Sequence, residues 1–289
     1  MTAVGRPSRQ LLALPVLTRW RTCLTGSVLF VLGSQWQAGH AGPLVLAAGG
    51  AAVWLSVAQA EVLNDVADRS ADAVDKPQRP IPSGAITVPF ALAVYGGASV
   101  ASVLLGWQVS PGVCAAMAVL VGASALYCLV LKSTVLAGNV LVAAMASSPL
   151  LIGAQAAGPL RRPTLLAALL VSLFMLSFEV VKTAVDVVGD GTAGLTTVGT
   201  ALGVRAALKI ATLAFGADCA VAGLLTLTSP GPRGPAFAVV FVVLVAAPAL
   251  RRYAAALTVP DPTPADAADV ARTLGGLWKY GMLCLVLLT

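Results

Sequence analysis

The chain has 289 residues, of which 58% are hydrophobic and only 10% are charged, and its formal net charge is +6. Its mean hydropathy of +0.90 excludes an ordinary water-soluble domain. Apolar runs of about 18 or more residues with few charges are typical of membrane-spanning helices. We predict nine such spans, at roughly 17–37, 43–63, 87–108, 112–131, 136–157, 164–182, 206–228, 235–257 and 270–289. The predicted fold is an all-α, polytopic membrane protein that forms one domain over residues 1–289.

The basic residues are distributed unevenly between the two sides of this topology. If the N-terminus is cytoplasmic and nine helices alternate, only Arg161, Arg162 and Arg233 fall on the outer side. An excess of Lys and Arg on cytoplasmic loops sets membrane orientation. The positive charge therefore indicates orientation in the cell membrane rather than nucleic-acid binding, and it puts the N-terminus and both acidic clusters described next on the cytoplasmic side.

Eight of the twelve carboxylates lie in two short clusters, each at the end of an apolar run. The first contains Glu61, Asn64, Asp65, Asp68, Asp72 and Asp75, and the second contains Glu179, Lys182, Asp186 and Asp190. Acids this close to a membrane are costly and mark functional sites. At spacings of three and four they share a helix face, where their mutual repulsion favours a bound cation. Oxygen ligands alone suit a hard divalent ion such as Mg²⁺. The predicted metal ligands are Asn64, Asp65, Asp68, Asp72, Asp186 and Asp190.

The two clusters match each other at a constant offset of 118 residues. Glu61 then corresponds to Glu179, Asp68 to Asp186, and Asp72 to Asp190, whereas Asp65 corresponds to Thr183. An internal duplication and convergence both explain this short match. Either way, two similar acidic helix ends are expected to face one cavity.

Basic residues near the acids supply partners for phosphate. Lys76 and Arg79 lie in a loop stiffened by three prolines, directly after the first cluster. Lys132 ends the fourth predicted span, and Lys182 lies within the second cluster. Together with the acids, these residues predict a site that clamps a metal–diphosphate complex.

Three segments resemble signatures of the UbiA superfamily of intramembrane prenyltransferases. The first and most specific is Asn64-Asp65-x-x-Asp68-x-x-x-Asp72 followed by Lys76-Pro77-x-Arg79-Pro80-Ile81-Pro82-Ser83-Gly84. The stretch from Tyr127 to Lys132 with Gly138-Asn139, and Asp186-Val-Val-Gly-Asp190 with the residues after it, are similar to later family motifs. Departures are Thr183 where many relatives carry Asp, the spacing of Tyr127 and Lys132, and Val66-Ala67 in place of an aromatic pair.

The resemblance implies Mg²⁺-dependent chemistry on a polyprenyl diphosphate inside the membrane. It implies catalytic roles for Asp65, Asp68, Asp72, Asp186 and Asp190, and diphosphate binding by Lys76, Arg79, Lys132, Lys182 and Tyr127. The expected reaction is prenyl transfer to an apolar or aromatic acceptor. Arg21-Thr22-Cys23-Leu24 vaguely resembles relatives that act on glycerol-phosphate lipids. The alternative within the family is a terpene cyclase, which needs no acceptor; an aromatic content of 6% mildly favours transfer over a multi-step cyclisation.

A divalent-cation transporter is the alternative from another class, since such proteins also carry intramembrane acids and internal repeats. Both clusters fall on the same predicted side, however, and Asp218 is the isolated acid within a span. The five scattered cysteines have no metal-ligand spacing and are expected to be buried small hydrophobes. The lone His40, in a short connection, has no predicted partner.

Overall fold

In a computed structural model the chain folds into a bundle of α-helices, described over residues 7–37, 41–229 and 231–288. His40 lies outside the described residues. The helices are α1 (Pro7–Leu17), α2 (Trp20–Gln35), α3 (Pro43–Ala67), α4 (Arg69–Asp75), α5 (Val88–Val109), α6 (Pro111–Leu129), α7 (Ala137–Ala157), α8 (Arg162–Val185), α9 (Val187–Thr192), α10 (Val198–Leu202), α11 (Val204–Thr228), α12 (Arg233–Phe241), α13 (Ala247–Thr258) and α14 (Pro264–Val286). A 3₁₀ turn, Leu131–Ser133, follows α6, and a π-helical segment, Val242–Ala246, joins α12 to α13.

The all-α prediction is confirmed, since the described residues contain no strand. Each predicted span corresponds to a long helix, with α12, the π-helical segment and α13 forming the eighth. In the described part of the chain, 7 helices are long and apolar enough to cross a membrane. The other two predicted spans are α2, which has only 16 residues, and α14, whose first turns are polar. All five cysteines are free.

Proline and hydroxyl residues set where many helices begin. Thr87 and Ser110 precede α5 and α6, and each side-chain oxygen accepts a hydrogen bond from a backbone N–H in the first turn. Proline follows at one of the first two positions of both helices, where its missing N–H has no helical partner to lose. Only Ser110 separates α5 from α6, so these neighbouring helices return across the bundle in antiparallel order.

The C-terminal half of the bundle holds the largest apolar core. Phe174 of α8, Phe215 of α11 and Tyr253 of α13 are buried there, with ring centres 6.3 Å and 5.9 Å apart for the two pairs that involve Phe215. The N-terminal half contains a close approach of two backbones. A Cβ on Gly153 of α7 would lie 1.8 Å from the carbonyl oxygen of Phe30 in α2, so only glycine permits this approach.

Two helix interruptions position the acidic clusters. Asp68 separates α3 from α4, and Asp186 separates α8 from α9; their backbone angles are φ −83°, ψ −2° and φ −89°, ψ 13°. The i→i−4 hydrogen bonds continue through both points, from Asp68 N–H to the Asn64 carbonyl and from Asp186 N–H to the Lys182 carbonyl. The acids predicted to share one helix face therefore lie on a helix that is interrupted at Asp68. The second cluster has the same interruption at Asp186.

Candidate active site

A pocket of about 130 Å³ gathers both acidic clusters at the C-terminal ends of α3 and α8. Its charged lining consists of Asp68, Asp72, Glu179, Asp186 and Asp190 on the acidic side and Arg19, Lys76, Arg79, Lys132 and Lys182 on the basic side. Asn64, Tyr127, Thr134, Asn139, Thr183 and Thr197 supply further polar groups. With acidic and basic side chains in equal number, the fixed charges of the pocket nearly balance.

Lys132 closes one wall of the pocket against the end of α3. Its ammonium group donates to the Asn64 side-chain carbonyl at 3.0 Å and forms an ion pair with Asp68. The Asn64 amide in turn donates to Asp68 at 3.2 Å. Lys132 sits in the 3₁₀ turn after α6, with its ammonium 5.9 Å from the centre of the Tyr127 ring. The structure therefore brings together four residues that the sequence assigned to the site.

Arg79 connects two carboxylates of the first cluster. Its guanidinium lies 2.5 Å from Asp72 and 3.3 Å from Asp65. Asp65 is only 3% exposed, and it also accepts from Arg19 at 2.7 Å. Unlike the other predicted ligands, Asp65 lies beneath the pocket and does not line it. Two arginines neutralise its charge there, so its position is that of a buried counter-ion.

Arg19 is a pocket residue that the sequence prediction missed. It joins α1 to α2 in the left-handed conformation, with φ 48° and ψ 58°, where a non-glycine residue is strained. Its guanidinium lies 2.5 Å from Glu61 and 2.7 Å from Asp65, and these ion pairs hold the strained residue in place. Arg19 and Asp65 are 46 residues apart, so no spacing pattern connects them. The sequence alone indicates only a basic residue beside the first predicted span.

The second cluster meets the first through Lys76. Its ammonium lies 3.6 Å from the Asp186 carboxylate, and each side chain is about one-third exposed. Nearby, the Thr196 backbone N–H donates to the Ser133 hydroxyl at 2.9 Å, joining the segment after α9 to the 3₁₀ turn after α6. These two contacts hold the cytoplasmic-side segments predicted from the sequence against each other.

Asp190, in the short helix α9, has a different environment from the acids of the first cluster. Burial raises the pKa of the Asp190 carboxyl above its ordinary value, and a hydrogen bond from Thr197 partly offsets this shift because it stabilises the charged form. The negative charge of the nearby Asp186 also raises the pKa of Asp190. The backbone of Asp190 is also held by a neutral group, because its carbonyl oxygen accepts from the Leu195 N–H at 2.8 Å.

Lys182 and Glu179 form a pair one turn before Asp186. The ammonium donates to both Glu179 oxygens, at 2.9 Å and 3.1 Å. Lys182 was predicted from its place in the cluster, whereas Glu179 was noted there without a role. Asp218 lies away from this pocket, in a small apolar cavity beside Phe241 and Trp278. Among the described residues its buried carboxylate oxygens have no hydrogen-bond partner.

The pocket fits a metal that shares its ligands with substrate. Within the described ranges, no three His, Cys, Asp or Glu side chains converge as a preformed metal cluster. The carboxylates that line the cavity nevertheless come from both acidic clusters, which we call the first and second half-sites. Mg²⁺ commonly takes one or two carboxylates and completes its coordination with water and phosphate oxygens. Carboxylate and hydroxyl oxygens next to five lysines and arginines suit such shared coordination.

Comparison with known proteins agrees with the motifs. Residues 23–270 match the UbiA prenyltransferase family. The chain belongs to this family. It is a multi-pass membrane prenyltransferase, as the resemblance of the three motifs predicted.

Its relatives include archaeal lipid enzymes. The chain is 30% identical over 236 residues to digeranylgeranylglyceryl phosphate synthase of Sulfolobus acidocaldarius, covering 80% of each protein. It is 31% identical over 248 residues to the enzyme of the same name from Natronomonas pharaonis, covering 84% of this chain and 85% of that one.

Solved structures confirm the fold. A structure of a digeranylgeranylglyceryl phosphate synthase superposes with a TM-score of 0.69 at 22% identity, covering 96% of this chain and 98% of that one. A UbiA homologue from Archaeoglobus fulgidus, bound to GPP and Mg²⁺, also gives a TM-score of 0.69, at 14% identity and with 96% and 99% coverage.

Proposed function

We propose that this prenyltransferase ionises a prenyl diphosphate with the help of Mg²⁺ and transfers the prenyl group to the hydroxyl of a glycerol phosphate lipid. The observation that carries the proposal is the meeting of two acidic half-sites and five basic side chains around one pocket. We assign the metal-binding oxygens to Asn64, Asp68, Asp72, Asp186 and Asp190. Asp65 is assigned to holding the first half-site together.

The charge balance of the pocket supports a diphosphate substrate. Because the fixed charges nearly cancel, divalent cations would leave the pocket strongly positive and ready for a polyanion. When bound, Mg²⁺ would neutralise charge that builds on the leaving diphosphate. Lys76, Arg79 and Lys132 lie beside the acids and provide N–H donors for the same oxygens.

The reaction then follows from the surroundings of the pocket. The bond between the prenyl carbon and the diphosphate oxygen breaks, and the diphosphate keeps the electron pair. The acceptor oxygen then forms a bond to the allylic carbon, and its proton passes to the departed diphosphate. Apolar helices that exclude water favour this outcome because water would otherwise capture the cation. The Lys and Arg distribution supports a pocket that opens to the cytoplasm.

Two observations support a phosphate-bearing acceptor. The relatives at 30% identity or more named above are digeranylgeranylglyceryl phosphate synthases. In addition, Arg19 and Lys182 line the pocket, and although they pair with Glu61 and Asp65 and with Glu179, each has further N–H groups that can bind a second anionic group.

The test uses purified protein in detergent with Mg²⁺. Geranyl, farnesyl or geranylgeranyl diphosphate is supplied alone, with a prenylated glycerol phosphate, or with an aromatic acid. We expect diphosphate release and an ether product only with the glycerol phosphate lipid, and no reaction after addition of EDTA. A hydrocarbon or terpene alcohol formed without acceptor would establish cyclisation instead. Prenylation of the aromatic acid alone would overturn the acceptor assignment.

A further inference from the structure

Thr183 occupies, at the offset of 118 residues, the position that Asp65 has in the first half-site. Asp65 holds Arg79 at 3.3 Å, and Arg79 in turn contacts Asp72 at 2.5 Å. This arrangement ties the loop after α4 to the carboxylate that faces the pocket. A neutral threonine cannot form these ion pairs, so a different contact must hold the second half-site in place.

The Thr183 hydroxyl bonds in two directions. It donates to the Val180 carbonyl oxygen at 2.7 Å and accepts from the backbone N–H of Gly199 in α10 at 3.1 Å. The residue is 8% exposed, so water cannot easily replace these partners. The backbones also meet closely, because a Cβ on Gly199 would lie 1.9 Å from the Thr183 carbonyl oxygen. The hydroxyl therefore fixes α10 against α8.

The residue at the start of α10 reaches the pocket. Thr197 is the N-cap of α10 and accepts a hydrogen bond from the Thr200 backbone N–H. Thr197 and Asp190 both line the pocket. The Thr200 hydroxyl of α10 donates to the Leu195 carbonyl oxygen at 2.9 Å, and the Leu195 backbone N–H donates to the Asp190 carbonyl oxygen at 2.8 Å. At the same offset of 118 residues, Thr197 corresponds to Arg79 and Asp190 to Asp72. The second half-site thus repeats the plan of the first with neutral groups.

We propose that Thr183 is a positioning residue for Asp190, acting through α10 and the contacts of Thr200 with Leu195 and of Leu195 with Asp190. The inference rests on the proposed function in one respect, that Asp190 helps to hold the divalent cation. Without the Thr183 hydroxyl, the buried N–H of Gly199 loses its acceptor, and α10 moves away from α8 to find another. Thr200 and Leu195 then no longer hold Asp190 in place.

The experiment compares Thr183→Val, which keeps the shape but lacks the hydroxyl, with Thr183→Ser, which keeps the hydroxyl. For Thr183→Val we expect the Mg²⁺ concentration at half-maximal rate to rise about tenfold, as for the loss of an outer-shell partner of a metal ligand. Hydrogen exchange of residues 195–202 should accelerate in the same variant without substrate or metal. Thr183→Ser should be close to the original chain in both measurements.

Matched variants separate positioning from loss of folding. Thr212→Val removes another helical hydroxyl, which donates to the Leu208 carbonyl at 2.7 Å, and should leave the Mg²⁺ dependence unchanged. Adding Thr183→Val to Thr200→Val, which removes the hydroxyl that bonds to Leu195, should raise the Mg²⁺ requirement little further, because both act on Asp190 along one path.

Some outcomes would overturn the inference. These are an unchanged Mg²⁺ dependence in Thr183→Val, unchanged exchange of residues 195–202, or additive effects of the two substitutions. A protein that is active without Mg²⁺ would contradict the proposed function instead, while the exchange data would still decide whether Thr183 holds α10.

Discussion

The two acidic half-sites share a backbone plan but are held by different chemistry. Asp68 and Asp186 each interrupt a helix with similar angles and the same continuing hydrogen bonds. Around Asp72 the supporting contact is an ion pair with Arg79, whereas Asp190 is held by neutral hydrogen bonds through Leu195 and Thr200. The comparison indicates that this site requires the position of each carboxylate, and that either charged or neutral groups can supply it.

The carboxylates themselves should be equally necessary in both halves, and their loss should have the largest effect. We expect Asp68→Ala and Asp186→Ala each to lower the rate constant of diphosphate release more than about a hundredfold, because each removes charge that must balance the leaving group. The measurement is turnover by purified protein that elutes as a single species in detergent. Asp269→Ala, which removes an exposed partner of Arg272, is the control and should stay active. Full activity of either pocket variant would contradict the expectation that the carboxylates of both halves are equally necessary.

The contacts that hold the two half-sites, Asp65 with its two arginines and Thr183 with Gly199, should differ in how much they stabilise the fold. Asp65→Asn leaves Arg19 and Arg79 without their shared counter-ion, and we expect a loss of about 2 kcal/mol in the free energy of unfolding. Thr183→Val breaks one neutral hydrogen bond and should cost about 1 kcal/mol. Thermal unfolding midpoints in detergent would rank the two variants, with Asp269→Asn as the control for simple charge loss. The reverse order would show that the neutral contact is the stronger one.

Added salt should loosen the first half-site more than the second. This is the smallest of the three expected effects. Ion pairs that are partly exposed weaken as the screening length falls to about 3 Å near 1 M salt. We expect hydrogen exchange of residues 76–84 to accelerate a few-fold with added salt, and exchange of residues 195–202 to change less than about twofold. Equal acceleration of both segments would mean that ionic contacts also hold α10.

Much of the architecture could be predicted from the sequence because membrane spans leave a strong signal. Long apolar runs predicted the helices, and the motif residues Asp68 and Asp190 were assigned to a shared pocket that the structure contains. The separate helix α1 was not predicted, because the left-handed turn at Arg19 has no signature in a run of mixed apolar and basic residues. Short helices such as α10 are likewise too brief to show a hydrophobic period.

The position of Asp65 could not be predicted for a related reason. Helical spacing shows which side chains share a face, but the depth of each along the axis depends on what packs around it. Arg19, contributed by a distant segment, draws Asp65 below the pocket. Thr183 looked like a missing acid, and its acceptor role depends on Gly199, whose close approach is visible only in three dimensions.

The contact that holds each half-site spans a short chain distance, which has a consequence for biogenesis. Asp65 and Arg79 are 14 residues apart, and Thr183 and Gly199 are 16 apart, so both contacts join neighbouring parts of the nascent chain. Local contacts of this kind form early and at low entropic cost. Each of these two contacts can therefore form as its own helices enter the bilayer, and the Lys76–Asp186 ion pair can join the two halves only after the later half has been made.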